Sequence, residues 1–236
     1  MGWWLLLAVL MAPRLSLRTG AFVGAFLPDG TPLPIQSPVN GRWVSAEQVQ
    51  REMRFRCWQP PLTTLQMAEL ARGLEADFAV DVLAAPVRER RRWYAFLLVR
   101  VVSAPLKATV HLAQARIGIR SPDEVPHVVA QVAPSLLANL PSQIAPAIVQ
   151  LREGAKRLHL QATTENWRKG TQLLFYREAG KEVTVLGKGC IVSITRLADG
   201  NRWLIEADLT TLGASVRPGD KAVTVFALPS PFAALE

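Results

Sequence analysis

Three strand-length apolar segments follow one another without a helix between them: Phe78 to Leu83, Trp93 to Val102 and Ala108 to Ile119. The connections, Pro86 to Arg92 and Ser103 to Lys107, are too short for the crossover of a dozen or more residues that parallel neighbours need. The three segments are therefore expected to form an antiparallel meander.

Helix signals stand on both sides of it. Ser45 with Gln48, and Thr63 with Gln66, have capping-box spacing, in which the hydroxyl and the amide each satisfy a backbone N–H at a helix start. Val49 and Met53 follow the first box at i, i+4; Met67, Leu70, Ala71 and Leu74 follow the second on one face, with Gly73 as the stop. A short strand is expected at Arg54 to Trp58, and another within Arg18 to Leu27, carried by Ala21, Phe22, Val23, Ala25 and Phe26 and followed by a Pro- and Gly-rich loop from Pro28 to Gly41. After the meander, Ser121-Pro122-Asp123-Glu124 offers an N-cap, a first-turn proline and acids for the helix dipole. The stripe Val125, Val128, Val129, Val132, Leu136 and Leu140 then keeps helical period, with a kink expected at Pro134.

From there the pattern changes. Pro141 to Glu153 reads as a joint with a short helix through Ile144, Ile148 and Leu151. Alternation at Leu158, Leu160 and Ala162, and apolar runs at 172–176, 190–196, 202–207 and 222–226, mark short strands. Turns punctuate them at Lys169-Gly170, Ala179-Gly180, Asp199-Gly200 and Pro218-Gly219-Asp220. The expected fold is α+β: a βαβαβββα sandwich of mixed sheet and helices over residues 21–152, then a small all-β barrel over residues 153–236.

Composition narrows the class. Half of the 236 residues are hydrophobic and 19% are charged, which gives enough apolar surface for a core and excludes a disordered chain. The one uninterrupted apolar run, Trp3 to Met11, is short of the roughly 20 residues a membrane helix needs. It has the length of a signal-peptide core, so residues 1–20 are read as a signal or as an apolar N-terminal segment, with Thr19-Gly20-Ala21 and Val23-Gly24-Ala25 as the small-residue cleavage candidates. The expected location is periplasmic or otherwise extracytoplasmic; the alternative is cytoplasmic. Cys57 and Cys190, each in an apolar or aromatic stretch, are read as buried free thiols.

Residues 63 to 83, from Thr63-Thr64-Leu65-Gln66 through Ala76-Asp77 into Phe78-Ala79-Val80-Asp81-Val82, resemble the α/β domain shared by the TolB N-terminal region, CsgG and LpoB. Trp167-Arg168-Lys169-Gly170, Leu186-Gly187-Lys188-Gly189 and Val216-Arg217-Pro218-Gly219-Asp220 are similar to the C-terminal small β-barrel of flagellar assembly protein T. The chain departs from the first pattern at Asp81 and Leu83, where a glycine is usual, and has no lipobox Cys after its apolar start. The resemblance implies an envelope protein without enzymatic activity, acting as a scaffold or assembly factor through other envelope proteins. It also implies that Asp77, at the helix-to-strand corner, and Gly219 with Asp220, in the last turn, are structural.

The residues themselves offer little catalysis. No nucleophile elbow, Walker loop or Cys/His pair is present, and His111, His127 and His159 lack ligand spacing, so no catalytic, metal or cofactor residues are assigned. Gly187-Lys188-Gly189 reads as a turn leading into a strand, since no helix follows to hold a phosphate. Asp81 is expected either to face solvent or to pair with Arg100. The candidate contact residues are Arg88, Arg90, Arg91, Arg92 and Trp93, in the loop of the first hairpin, where guanidinium groups and a ring could grip an acidic or phosphate-bearing surface. The basic excess of +8 is spread: +5 over residues 1–150 (15 basic, 10 acidic) and +3 over 151–236 (12 basic, 9 acidic). A cytoplasmic nucleic-acid-binding module using this cluster and the barrel is the alternative reading. Self-association is left open.

Overall fold

The structure, a computed structural model, describes residues 15–35, 42–164, 167–180, 182–198, 200–211 and 216–236. The apolar run Trp3 to Met11 lies outside them. The chain forms two compact units, one built from residues 17–142 and 226–236, the other from residues 143–225 with the short N-terminal strand.

The α/β unit is organised by the meander. After β1 (Leu15–Ser16), which belongs to the other unit, its elements in chain order are β2 (Thr19–Phe26), β3 (Pro32–Leu33), β4 (Arg42–Trp43), α1 (Ala46–Phe55), α2 (Thr64–Gly73), β5 (Phe78–Glu89), β6 (Arg92–Ser103), β7 (Ala108–Ile119) and α3 (Val125–Ala138). The sheet order is β3-β2-β5-β6-β7, with β4 also beside β2. β5, β6 and β7 are antiparallel, as their short connections require, whereas β2 and β5 are parallel and use α1 and α2 as their crossover.

Both capping boxes form: the Ser45 and Thr63 hydroxyls accept from the backbone N–H groups of Gln48 and Gln66, whose side chains return the contact. α1 buries Val49 and Met53; α2 buries Met67, Ala68, Leu70 and Ala71. They pack with Ala21, Val23, Ala79 and Val102 into one core cluster. α3 runs along β5, β6 and β7.

Several elements differ from expectation. There is no strand at Arg54 to Trp58: α1 runs to Phe55, and Trp58 N donates to Met53 O around Cys57, at φ 55°, which closes the helix in a left-handed turn. Cys57 is consequently exposed, not buried, and both cysteines are free. Ser121 makes no cap bond; a 3₁₀ turn at Pro122–Glu124 precedes α3, and the Glu124 carboxylate accepts from Arg120 N. Pro134 is carried inside α3, which continues to Ala138.

The second unit is a closed antiparallel barrel. Its strands are β9 (Ala147–Glu153), β10 (Arg157–Ala162), β11 (Gln172–Ala179), β12 (Glu182–Arg196), β13 (Trp203–Leu209) and β14 (Lys221–Val225), in the order β9-β10-β13-β12-β11-β14 and back to β9. Leu158, Leu160, Phe175, Ile191, Ile205 and Trp167 fill the interior. Closure leaves no barrel edge unpaired. The helix drawn through Ile144, Ile148 and Leu151 is absent: Gln143–Ile144 forms β8, paired with β1, and Ala147 and Val149 alternate into the barrel with strand period. Gly187, Lys188 and Gly189 lie within β12, where Lys188 N donates to Thr211 Oγ1.

After β14 the chain returns to the α/β unit. Phe226 N donates to Thr109 O on β7, and Leu228 and Phe232 cluster with Leu83, Ala85 and Leu98 of the meander. Phe232 stacks on Phe96 with ring centroids 6.1 Å apart. Pro229 and Pro231 keep this return segment out of any sheet, so its burial comes from side chains laid on the face of β5 and β6.

Candidate binding surface

The candidate contact residues sit at the tip of the meander, and β2 determines how that tip is made. β2 pairs with β5 only from Gly20↔Phe78 to Phe26↔Leu83. β5 and β6 continue as a pair to Glu89↔Arg92, and β6 and β7 continue to Trp93↔Ile119. The three strands thus project past the end of β2. Pro86 falls in this overhang, opposite Ala95, where its missing N–H is no loss because β5 has no second neighbour.

Pro86 to Arg92 is accordingly not a loop. β5 runs through Glu89, and Arg90 and Arg91 alone make the turn, Arg90 at φ 56°. Arg88, Arg92 and Trp93 are strand residues, fixed in register, and their side chains alternate between the two faces of the overhang. Arg88 is directly opposite Trp93 and its guanidinium lies 5.5 Å from the ring centroid. On the other face, Arg116 from β7 lies 3.9 Å over the Tyr94 ring and pairs with Glu89 at 2.5 Å. The hydrogen bond that the Arg116 guanidinium donates to Glu89 is the main reason it is held above its ordinary pKa. Arg88, Glu89, Arg90, Arg91 and Arg92 are exposed, and Trp93 and Tyr94 are half-buried.

Among the described residues the only carboxylate in an ion pair at this tip is Glu89, and it is taken by Arg116. Arg88, Arg90, Arg91 and Arg92 form none. Elsewhere several basic side chains do have a carboxylate partner: Arg56 with Glu52, Arg157 with Asp208, Arg177 with Asp220 and Lys221 with Glu178. Sequence reading places the cluster but misses Arg116, which is 24 residues beyond Arg92; register alone brings it beside Tyr94.

The residues assigned structural roles lie away from the tip. Asp77 Oδ2 accepts from Arg18 N and Thr19 N, both at 3.0 Å, and its own N–H donates to Thr19 O. Asp220 takes Arg177 bidentately at 2.7 and 2.8 Å and also accepts from Arg217 N; Gly219, at φ 92°, makes that turn. Asp81 pairs with Arg100, and neither faces solvent: both side chains are fully buried. No group of three His, Cys, Asp or Glu residues among the described ones could hold a metal ion. His127 contacts Gln131, His159 contacts Glu153, and burial lowers the pKa of His111. No helix among the described residues is long and apolar enough to cross a membrane.

No protein-family model and no curated protein matches the chain. Among solved structures it is similar to the LpoB C-terminal domain from Salmonella enterica, with 9% identity and a TM-score of 0.31, over 45% of this chain and 86% of that one. It is also similar to a hypothetical protein from Chlamydia trachomatis, with 16% identity and a TM-score of 0.23, over 42% of this chain and 70% of that one. LpoB is one of the three proteins named in the sequence resemblance, and it is met again here as a weak likeness in shape that assigns no function.

Proposed function

We propose that this chain is a non-enzymatic scaffold or assembly factor of the cell envelope that holds an acidic segment of another protein at the tip of its meander. The observation that carries the reading is the set Arg88, Arg90, Arg91 and Arg92: four exposed guanidinium groups gathered at one two-residue hairpin, with no ion pair among the described residues, beside a carboxylate, Glu89, that Arg116 already holds. The strands on either side of the turn fix where the four side chains start, and guanidinium groups take carboxylates bidentately. The envelope location draws on the apolar run Trp3 to Met11 and on the resemblance of residues 63–83.

The same arginines suit nucleic acid, the second reading. Against it, the two rings at the tip are already covered by Arg88 and Arg116 and offer bases less stacking surface. Titrating the protein with polyglutamate and with a single-stranded oligonucleotide separates the two. Binding of polyglutamate is expected, and R90E/R91E/R92E weakens it by roughly one to two orders of magnitude, each exposed charge contact contributing up to about 1 kcal/mol. Unchanged binding by the triple variant overturns the site. Tight, steeply salt-dependent binding of the oligonucleotide with none of polyglutamate overturns the reading in favour of nucleic acid. Fractionation of the native protein to the cytosol overturns the envelope location.

A further inference from the structure

We propose that the outer edge of β7, from Ala113 to Ile119, is a strand-addition site that takes an extended acidic segment of another protein as one more strand of the sheet. The inference deepens, and rests on, the reading of the arginine tip given above. The overhanging meander has two edges. That of β5 carries Pro86, which removes a donor and blocks pairing. That of β7 carries no proline over this stretch, and the strand's one register irregularity lies back opposite Val101 and Val102.

Among the described residues, β7 pairs with β6 on its inner side. Among the described residues its one outward backbone bond comes from the return segment, Phe226 N to Thr109 O, at the start of the strand. Beyond that point the outward N–H and C=O groups of alternate residues form the template that an added strand needs.

The side chains select the guest. Gln114, Arg116 and Gly118 are exposed on the face that also carries Arg92 and Tyr94; Ala115, Ile117 and Ile119 are half-buried on the other. A strand with acids on one face would set them on the side of Arg92, which has no ion pair among the described residues, Arg116 on that face being held by Glu89; its alternate residues would lie beside the isoleucines. A second copy of this chain is disfavoured, because it would bring another +8 and the same unmatched arginines.

The test uses a capped ten-residue peptide of alternating Glu and Thr, and two derivatives N-methylated on alternate residues, one set each. Strand addition requires the parent to bind, one derivative to lose about 100-fold through several missing backbone bonds, and the other to stay within about threefold. New protection of β7 amides from hydrogen exchange should accompany binding. If the parent binds and both derivatives bind as well as it does, the edge is not used, while the arginine tip stands as the contact. If the parent does not bind, the edge proposal is overturned; if polyglutamate fails too, so is the reading of the tip.

Discussion

Arg100 and Asp81 face each other across β5 and β6, both side chains fully buried, with Nε and Nη2 of the guanidinium on the two carboxylate oxygens at 3.0 and 2.5 Å. The remaining donors reach Leu62 O at 2.7 Å, before α2, and Leu235 O at 3.2 Å, in the return segment. One side chain thus ties the meander to the helical crossover and to the returning chain. A buried ion pair tolerates the loss of neither member alone. Asp81→Leu is expected to destabilise the protein by about 3–5 kcal/mol, and Asp81→Leu with Arg100→Met by far less, since the double variant leaves no unmatched charge. Urea unfolding of the wild type, both singles and the double checks the cycle.

Phe232 stacks on Phe96 and is buried with Leu228 against Leu83 and Leu98. Phe232→Ala should cost about 3–5 kcal/mol by emptying that site. Amide exchange should rise along β5 and β6, and not in the barrel strands. Equal acceleration in both units would show that the return segment does not belong to the meander's core.

Gly219 and Gly118 both have open space where a Cβ would stand, but only Gly219 has a positive φ. Gly219→Ala is therefore expected to lower stability by about 1–2 kcal/mol through backbone strain alone. Gly118→Ala, in an extended strand, should be neutral or stabilising by about 0.5 kcal/mol. Thermal unfolding of the two variants side by side distinguishes strain from crowding.

Tyr176 is fully buried and its hydroxyl has no hydrogen-bond partner among the described residues. Burial, helped by the charge of Glu178, pushes its pKa well above the ordinary tyrosine value. Only the unfolded chain can then ionise this residue as pH rises past about 10, so its contribution is full below that pH and falls above it. Tyr176→Phe should remove the fall and, by deleting an unsatisfied hydroxyl, leave stability at neutral pH unchanged or raised. Unfolding free energies followed from pH 8 to pH 11 test both.

The fold class was legible because its signals are local. Capping boxes at Ser45 and Thr63 and the short links of the meander each dictate geometry within a few residues. What escaped depends on contacts distant in sequence. Asp81 and Arg100 could be paired from strand spacing, but not seen to be buried, because their cover includes Leu235, 135 residues past Arg100. The arginine cluster read as a loop because Pro86 looks like a strand breaker; that β2 ends at Phe26 and makes proline harmless there is a fact of register. The helix expected at Ile144 to Leu151 failed because the residues that enter the barrel are Ala147 and Val149, at strand period, whereas Ile148 is half-buried and Leu151 exposed.

The return of residues 226–236 to the α/β unit also bears on the order of synthesis. The ribosome releases β5, β6 and β7 early, yet the carbonyl of Leu235 that accepts from Arg100, and the Phe232 ring on Phe96, emerge only after every strand of the barrel. The barrel, with its own interior and closed ladder, can fold as soon as it is out. The unit that holds the meander, made before the barrel strands, is completed only after them, and until then the nascent chain exposes an apolar patch around Leu83, Leu98 and Phe96.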